Sequence, residues 1–367
     1  MTLRIVFIAA LAILAACAQR GEIRFAERAD TASLQTIHVA TNRMPDRTVG
    51  FGDERSRETR FVEFDISIPP NRTAGEINWS NGKVDTSKDF ATVRANLFNG
   101  QNSFERSLRA RLLKRAPSER HVVVYVHGFN NNFSEGLYRA AQIAEDFTFT
   151  GEMAHFSWPS AGSAFGYAYD RDSVLAARNN FENFIDAIER AGASEILIIG
   201  HSVGSSLVME TLRSIALGNQ SKLGELVSGV LLISPDIDID VFFEQASRIE
   251  KLPQPFGIVV SDRDRALRVS ALITGQPNRL GNIEGVHEIA EFEVTVFNLS
   301  NIPDSDRLGH FTAATSPMAI EMLNNMSVLN EALQSEPSTS TGIVPGVAFT
   351  LQRTTEIILD PVQDVLK

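Results

Sequence analysis

Short apolar segments alternate with longer amphipathic segments from His121 onward, and no other feature of the sequence restricts the fold as strongly. The apolar segments have the length of buried strands, and the amphipathic segments have the period of helices. This alternation predicts a parallel sheet whose strands are joined by crossover helices. The predicted strands are 122–126, 153–158, 195–200, 229–234, 256–261 and 292–299. The predicted helices are 134–147, 172–192, 205–217, 240–252 and 311–333.

Two further strands are predicted before this region. One runs from Ile37 to Thr41, and the other from Phe61 to Ile68, where apolar and polar residues alternate until Pro69 and Pro70 end the pattern. We interpret them as an antiparallel start to the sheet. The expected fold class is therefore α/β, with a mostly parallel central sheet, antiparallel N-terminal strands and helices on both faces.

The domain boundaries follow from composition. A chain of 367 residues with 43% hydrophobic residues has enough material for one large core, and we place a single domain at 35–333. Residues 334–367 are expected to be a linker and a C-terminal tail, because the segment SEPSTSTGIVPG after Gln334 has the composition of a linker. The end of this tail either packs on the domain, which we prefer, or binds a partner.

The N-terminus has the layout of a signal peptide. Arg4 precedes an uncharged apolar run from Ile5 to Ala16, which is too short to span a bilayer. The run ends at Cys17, the single cysteine of the chain, and Leu-Ala-Ala-Cys resembles the bacterial lipobox. We therefore expect a lipoprotein-type signal peptide at 1–16, lipidation at Cys17 and a polar tether over 17–34. The alternative is an ordinary signal peptide with an incidental cysteine.

These features predict a location in the bacterial cell envelope. A lipid anchor would hold the protein on the periplasmic face, and Ala18 rather than Asp after the cysteine favours the outer membrane. The formal net charge of −11 argues against a nucleic-acid partner. The sequence contains no HExxH, P-loop or GxGxxG pattern, and its histidines lack metal-ligand spacing, so we expect no cofactor and no metal.

The segment Gly200-His201-Ser202-Val203-Gly204 fits the G-x-S-x-G pattern. It lies between a predicted strand and a predicted helix, which is the context of a nucleophile elbow. A tight turn of this kind leaves no room for side chains beside the serine, which accounts for Gly200 and Gly204. The alternative is a purely structural glycine turn between a strand and a helix, without a catalytic role. The favoured interpretation makes Ser202 a catalytic nucleophile.

A serine hydroxyl needs a base, and the base needs an acid that fixes its tautomer. In this strand–helix arrangement the order along the chain is serine, acid, histidine, which leaves His287 and His310. We favour His310, because it lies in a polar loop after the last apolar strand. For the acid we favour Asp264, which follows the strand 256–261, and we keep Asp236 and Asp262 as alternatives.

The developing oxyanion needs backbone donors. The loop His127-Gly128-Phe129 follows the strand 122–126, at a position where one donor is expected. We assign the oxyanion hole to the N–H groups of Phe129 and Val203. Asn132 and Glu135, three residues apart, are expected to cap the next helix.

Six segments together resemble the α/β-hydrolase superfamily and, more narrowly, an esterase- or lipase-like subgroup of bacterial lipoproteins with no assigned substrate. The resemblance covers residues 40 to 311, and the six segments are ATNR (40–43), VHGFNNNF (126–133), SWPSAG (157–162), YDRDS (169–173), GHSVG (200–204) and SDRDRAL (261–267). The resemblance implies a triad of Ser202, Asp264 and His310. It departs mildly from the usual pattern at Val203 and in the segment Gly309-His310-Phe311, which follows the last predicted strand.

The function expected is that of a serine hydrolase. It would cleave an ester-like acyl substrate, either a small molecule or a lipid, through an acyl-enzyme. Two alternatives remain at this point. One is a peptidase or another amidase, since the nucleophile is shared, and the other is a membrane-anchored binding module without catalysis.

Overall fold

The computed structural model describes residues 20–46, 50–149, 151–275, 278–283, 289, 291–303, 309–324, 341–344, 347–352 and 356–361. Its strands are β1 (Ser33–Pro45), β2 (Phe51–Ile68), β3 (Ala91–Leu97), β4 (His121–Val126), β5 (Glu152–Ser157), β6 (Glu195–His201), β7 (Val227–Ile233), β8 (Phe256–Val260), β9 (Thr295–Asn298), β10 (Thr341–Val344), β11 (Val347–Gln352) and β12 (Glu356–Pro361).

The α-helices are α1 (Gln101–Leu112), α2 (Phe133–Asp146), α3 (Tyr167–Ala191), α4 (Val203–Leu226), α5 (Ile239–Ala246), α6 (Arg265–Thr274), α7 (Thr312–Thr315) and α8 (Pro317–Asn324). Short 3-10 helices lie at Pro117–Glu119 and Leu280–Asn282. No helix within the described ranges is long and apolar enough to cross a bilayer.

The strands form one sheet in the order β10-β11-β12-β9-β8-β7-β6-β4-β5-β1-β2-β3. Neighbouring strands are parallel from β1 across to β12, and β2 and β3 continue the sheet antiparallel beyond β1. The predicted fold class is confirmed. Because the strands from β5 to β9 all point the same way, the loops after their carboxyl ends meet at one edge, here called the carboxyl edge.

Side chains of β4 alternate between two apolar layers, one on each face of the sheet. Val122, Val124 and Val126 belong to one layer with α1, α3 and α4, whereas Val123 and Tyr125 belong to the other with α2 and α8. Both faces are therefore covered, as parallel sheets require. This explains why β4 is a nearly continuous apolar run in the sequence.

The segment predicted as a tether contacts the domain in its described part. Gly21 O accepts hydrogen bonds from Asn132 Nδ2 at 2.9 Å and Ser134 Oγ at 2.7 Å, and Phe25 forms a β-bridge with Thr92. Residues 20–32 therefore run along the domain and lead into β1. Cys17, the signal peptide and the first residues of the predicted tether lie outside the described residues.

The C-terminal part differs from the prediction in two respects. The helix predicted over 311–333 begins as two short helices, α7 and α8, because Pro317 lacks the N–H that a continuous helix needs. The segment predicted as linker and tail contains β10, β11 and β12, and β12 pairs in parallel with β9. The preference for packing over partner binding agrees with this pairing. Helix α1 and strand β3 were not predicted.

Candidate active site

Ser202 lies in a strained turn between β6 and α4. Its φ of 54° and ψ of −126° are unfavourable for a residue with a side chain. Two hydrogen bonds hold the turn: Ser202 N–H donates to Ile233 O at 3.0 Å, and Asp236 N–H donates to Ser202 O at 3.2 Å. Ile233 is the last residue of β7 and Asp236 lies in the loop that follows it, so the neighbouring strand and its loop fix the strained backbone.

Glycines allow the chain to close around this turn. A Cβ at Gly204 would lie 2.3 Å from the carbonyl oxygen of His127, and one at Gly128 would lie 2.8 Å from Ser202 Cβ. Neither distance is possible for a real side chain. The loop after β4 therefore lies directly against the serine. Gly200 is in β6, where it pairs with Val126 of β4 and Leu232 of β7.

His310 and Asp264 form a close pair. His310 Nδ1 lies 2.7 Å from Asp264 Oδ2, and the Asp264 side chain is fully buried. Asp264 is also the N-cap of α6, since its Oδ1 accepts the Leu267 N–H at 3.0 Å. One oxygen thus fixes the carboxylate and the other contacts the imidazole. This arrangement orients His310 through a helix cap.

His201 joins this pair to the serine. Its ring lies 4.9 Å from that of His310 and 4.0 Å from that of Phe311, measured between centroids. Its Nε2 is 3.4 Å from the backbone oxygen of His310. Because His201 directly precedes Ser202, the elbow and the His310–Asp264 pair belong to one site at the carboxyl edge.

The two alternative acids have other environments. The Asp236 carboxylate accepts hydrogen bonds from Tyr167 Oη at 2.9 Å and Ser270 Oγ at 2.8 Å, and it lies 3.4 Å from Arg279 Nε. Asp262 is exposed. Of these two and Asp264, Asp264 is therefore the carboxylate in contact with His310.

Phe129 and Val203 lie on the two sides of the elbow. Phe129 is in the loop after β4, and its ring packs edge-on against that of Tyr167 with centroids 5.4 Å apart. Val203 is the first residue of α4, so its N–H is not used by the helix. Within the described part of the chain, neither backbone N–H has a hydrogen-bond acceptor. These donors remain available to a bound group.

Sequence reasoning missed the buried carboxylate that holds the Phe129 loop. Asp170 Oδ2 accepts the Asn130 N–H at 3.2 Å and the Ser160 hydroxyl at 2.6 Å, and Oδ1 accepts the Ala161 N–H at 2.7 Å. Burial raises the pKa of Asp170 above its usual value. Asn130, next to Phe129, has a φ of 57°, a left-handed conformation that asparagine tolerates, and Asp170 holds it through the N–H.

Arg43 holds the same loop from β1. Its guanidinium is fully buried and donates to Asn131 O at 2.8 Å, Ser160 O at 3.1 Å and Gly52 O at 2.9 Å. Burial lowers the pKa of Arg43 to about 10, and the group still carries its charge at neutral pH. The only sequence signal for both residues was their place in the ATNR and YDRDS segments.

Three histidines around the loop are buried. Burial lowers the pKa of His201 and of His127 well below the usual value, and the neighbouring His310 and Arg43, respectively, add to the effect. Burial also lowers the pKa of His155 to about 3. All three imidazoles are therefore neutral at pH 7. Among the described residues, no group of three or more His, Cys, Asp or Glu side chains is placed to hold a metal ion.

Comparisons with known proteins agree with the fold. The model of the family "Alpha/beta hydrolase of unknown function (DUF900)" matches residues 100–326. No curated protein matches the chain. The family match carries the assignment.

Solved structures of low identity are also similar. A thermophilic esterase from Thermogutta terrifontis is 9% identical, with 74% of this chain and 86% of that chain covered and a TM-score of 0.35. A lipase-esterase related protein from Clostridium acetobutylicum is 13% identical, with 57% and 96% covered and a TM-score of 0.33. A putative hydrolase from Agrobacterium vitis is 10% identical, with 78% and 98% covered and a TM-score of 0.36.

Replacing the buried carboxylate tests its part in holding the Phe129 loop. Asp170→Ala leaves the Asn130 N–H, the Ala161 N–H and the Ser160 hydroxyl without their acceptor, so we expect the free energy of unfolding to fall by roughly 2–4 kcal/mol. Asp172→Ala, on the exposed side of α3, should change it by no more than about 0.5 kcal/mol. Urea denaturation of both variants is the measurement, and equal effects would contradict this role.

Proposed function

The chain belongs to the family of α/β hydrolases of unknown function, and within it we propose a serine hydrolase that cleaves an ester-like acyl substrate through an acyl-enzyme. The observation that carries the proposal is the strained Ser202 backbone beside a His310 imidazole bound to a buried carboxylate. A serine in such a turn, next to an oriented imidazole, is the arrangement that nucleophilic acyl transfer needs.

In the proposed first half-reaction, Ser202 Oγ attacks the carbonyl carbon of the substrate. His310 accepts the hydroxyl proton, and Asp264 stabilises the resulting imidazolium through its hydrogen bond to Nδ1. The N–H groups of Phe129 and Val203 bind the oxyanion, aided by the positive end of the α4 dipole. The tetrahedral intermediate then expels the alcohol, which takes the proton from His310, and leaves an acyl group on Ser202.

In the second half-reaction, water attacks the acyl-enzyme. His310 takes a proton from the water as the new C–O bond forms, and it returns this proton to Ser202 Oγ when the acid leaves. The same donors bind the second oxyanion. The cycle needs no group besides substrate and water, since the nucleophile, base and donors all come from the chain.

Fluorophosphonate labelling tests the nucleophile. Ser202→Ala should abolish labelling and lower kcat for p-nitrophenyl butyrate by about 10⁶-fold, the loss that removal of the nucleophile causes in subtilisin. Ser214→Ala, about three helical turns further along α4, where the hydroxyl donates to Glu182, should keep both. The readouts are labelling seen on a gel and release of p-nitrophenol. A folded wild-type protein that neither labels nor turns over would instead support a binding module.

The acid is tested by comparing two carboxylates. Asp264→Asn should lower kcat by about 10⁴-fold, because the amide no longer stabilises the imidazolium and favours the wrong tautomer. Asp236→Asn changes a carboxylate that contacts Tyr167 and Ser270 instead, so its kcat should fall much less. Steady-state kinetics of both variants decide, and a larger loss for Asp236→Asn would reverse the assignment.

We also propose that Cys17 is acylated and anchors the protein to the envelope membrane, most simply the outer membrane. The support is the lipobox-like sequence before Cys17. Buried acyl chains contribute about 0.8 kcal/mol per CH₂, so several chains hold a domain stably on a bilayer. The chain enters the described domain at Arg20, three residues after Cys17, so the anchor is joined to the domain without a long spacer.

Removal of the anchor is the corresponding test. Cys17→Ala should abolish incorporation of radiolabelled palmitate, because the cysteine that would carry the lipid is gone. The parent chain should incorporate the label and appear in the detergent-soluble membrane fraction. Palmitate incorporation is the measurement, and equal incorporation by both chains, or none by the parent, would refute lipidation at Cys17.

A further inference from the structure

Helix α6 exposes apolar side chains in place of polar ones. Val269, Leu272 and Ile273 have exposed fractions of 53%, 83% and 59%, whereas Leu267 is fully buried. Together with the exposed Arg265 and Arg268, they occupy positions i, i+3, i+4, i+7 and i+8, which lie on one side of a helix. We call this side the outer face of α6. An exposed apolar stripe of this kind indicates a surface that contacts another molecule or a membrane.

The outer face of α6 lies beside the candidate active site. The helix begins at Asp264, whose carboxylate contacts His310, and its Ser270 hydroxyl donates to Asp236 at the end of β7. Tyr167 Oη lies 2.7 Å from the same Ser270 hydroxyl, and the Tyr167 ring contacts Phe129. The side of α6 that carries Ser270 therefore packs on the carboxyl edge. The opposite side, which carries the apolar stripe, points away from the protein beside the site.

The start of the described chain lies on the opposite side of the same site. Arg20 donates to Asn130 O and Asn130 Oδ1, both at 2.9 Å, and forms an ion pair with Glu135. Asn130 follows β4, Ser202 follows β6 and Asp264 follows β8, and the sheet order is β8-β7-β6-β4. The loop that binds Arg20 after β4 and the start of α6 after β8 are the two flanks of the site. Three strand spacings of about 4.8 Å place them roughly 14 Å apart, and the serine lies between them.

We propose that the outer face of α6 docks on the surface of an anionic lipid bilayer and that the site takes its acyl ester from that bilayer. The inference rests on the proposed serine hydrolase and on its anchor. Three residues of chain reach at most roughly 11 Å, so an acylated Cys17 holds the Arg20 flank close to the membrane. A bilayer that contacts both flanks faces Ser202. The substrate class is then an acyl lipid.

Charge distribution favours this occupant. The net charge of the whole chain is −11, which repels an anionic surface. The outer face of α6 nevertheless carries Arg265 and Arg268. Just before the helix Arg263 and Asp262 are both exposed, so three arginines and one aspartate leave this surface positive. Arginines beside an apolar stripe are the pattern of helices that lie in the headgroup region, where the cations meet anionic lipids and the apolar side chains enter the acyl boundary.

A fluorescent label tests docking without relying on activity. Leu272→Cys, labelled with nitrobenzoxadiazole in the full chain reconstituted into vesicles of phosphatidylglycerol and phosphatidylcholine, should emit at shorter wavelength and be quenched by brominated phospholipids. Leu217→Cys is the matched control, because Leu217 is 61% exposed on α4 and lies about 21 Å along the helix from the carboxyl edge. The parent chain gives the background from Cys17. Equal emission and quenching at the two positions would overturn the proposal.

A second measurement tests the substrate class. Leu272→Gln combined with Ile273→Gln should lower the ratio of hydrolysis of a vesicle-borne phospholipid ester to hydrolysis of p-nitrophenyl butyrate by about tenfold or more. Leu217→Gln should leave this ratio unchanged. A ratio unaffected by the double change would refute supply from the bilayer. If neither ester is hydrolysed by the parent chain, the serine hydrolase proposal fails, while the fluorescence still decides whether α6 docks.

Discussion

The strained backbone of Ser202 is the constraint on which the site depends. A φ of 54° at a residue with a side chain persists only where the surroundings hold it, and here β7 and the loop after it supply both hydrogen bonds. The close approach of Gly204 to His127 O then brings the loop after β4 against the serine. Strand order thus determines the geometry of the turn, because β6 lies between β4 and β7.

Buried polar groups hold the surrounding loops in place. Asp170 and Arg43 come from distant parts of the chain, yet both bind the loop that contains Asn130 and Asn131. A buried charge is costly unless several hydrogen bonds compensate for it, and each of these groups makes at least three. Fully satisfied networks of this kind rigidify a loop. The carboxyl end of β1, far from the serine in sequence, is therefore part of the support of the site.

The proposals connect the chemistry of the site with its surroundings. A hydrolase whose nucleophile lies between an anchored flank and an apolar helix face would meet its substrate at a membrane. Asp264 serves both features, since it contacts His310 and caps the helix that carries the apolar stripe. A change in the position of α6 would therefore move the acid of the site as well. Docking and catalysis would share one structural element.

The sequence by itself determined the fold class and the elbow, because both are local: strand and helix periods extend over a few neighbouring residues, and GHSVG sits within one turn. It left the acid open among three aspartates. Only the tertiary structure put Asp264 against His310, 46 residues away, and Arg43 against Asn131, 88 residues away. It also added β12 to the sheet and ordered residues 20–32 on the domain. Such contacts depend on which strands become neighbours, and no local pattern encodes that choice.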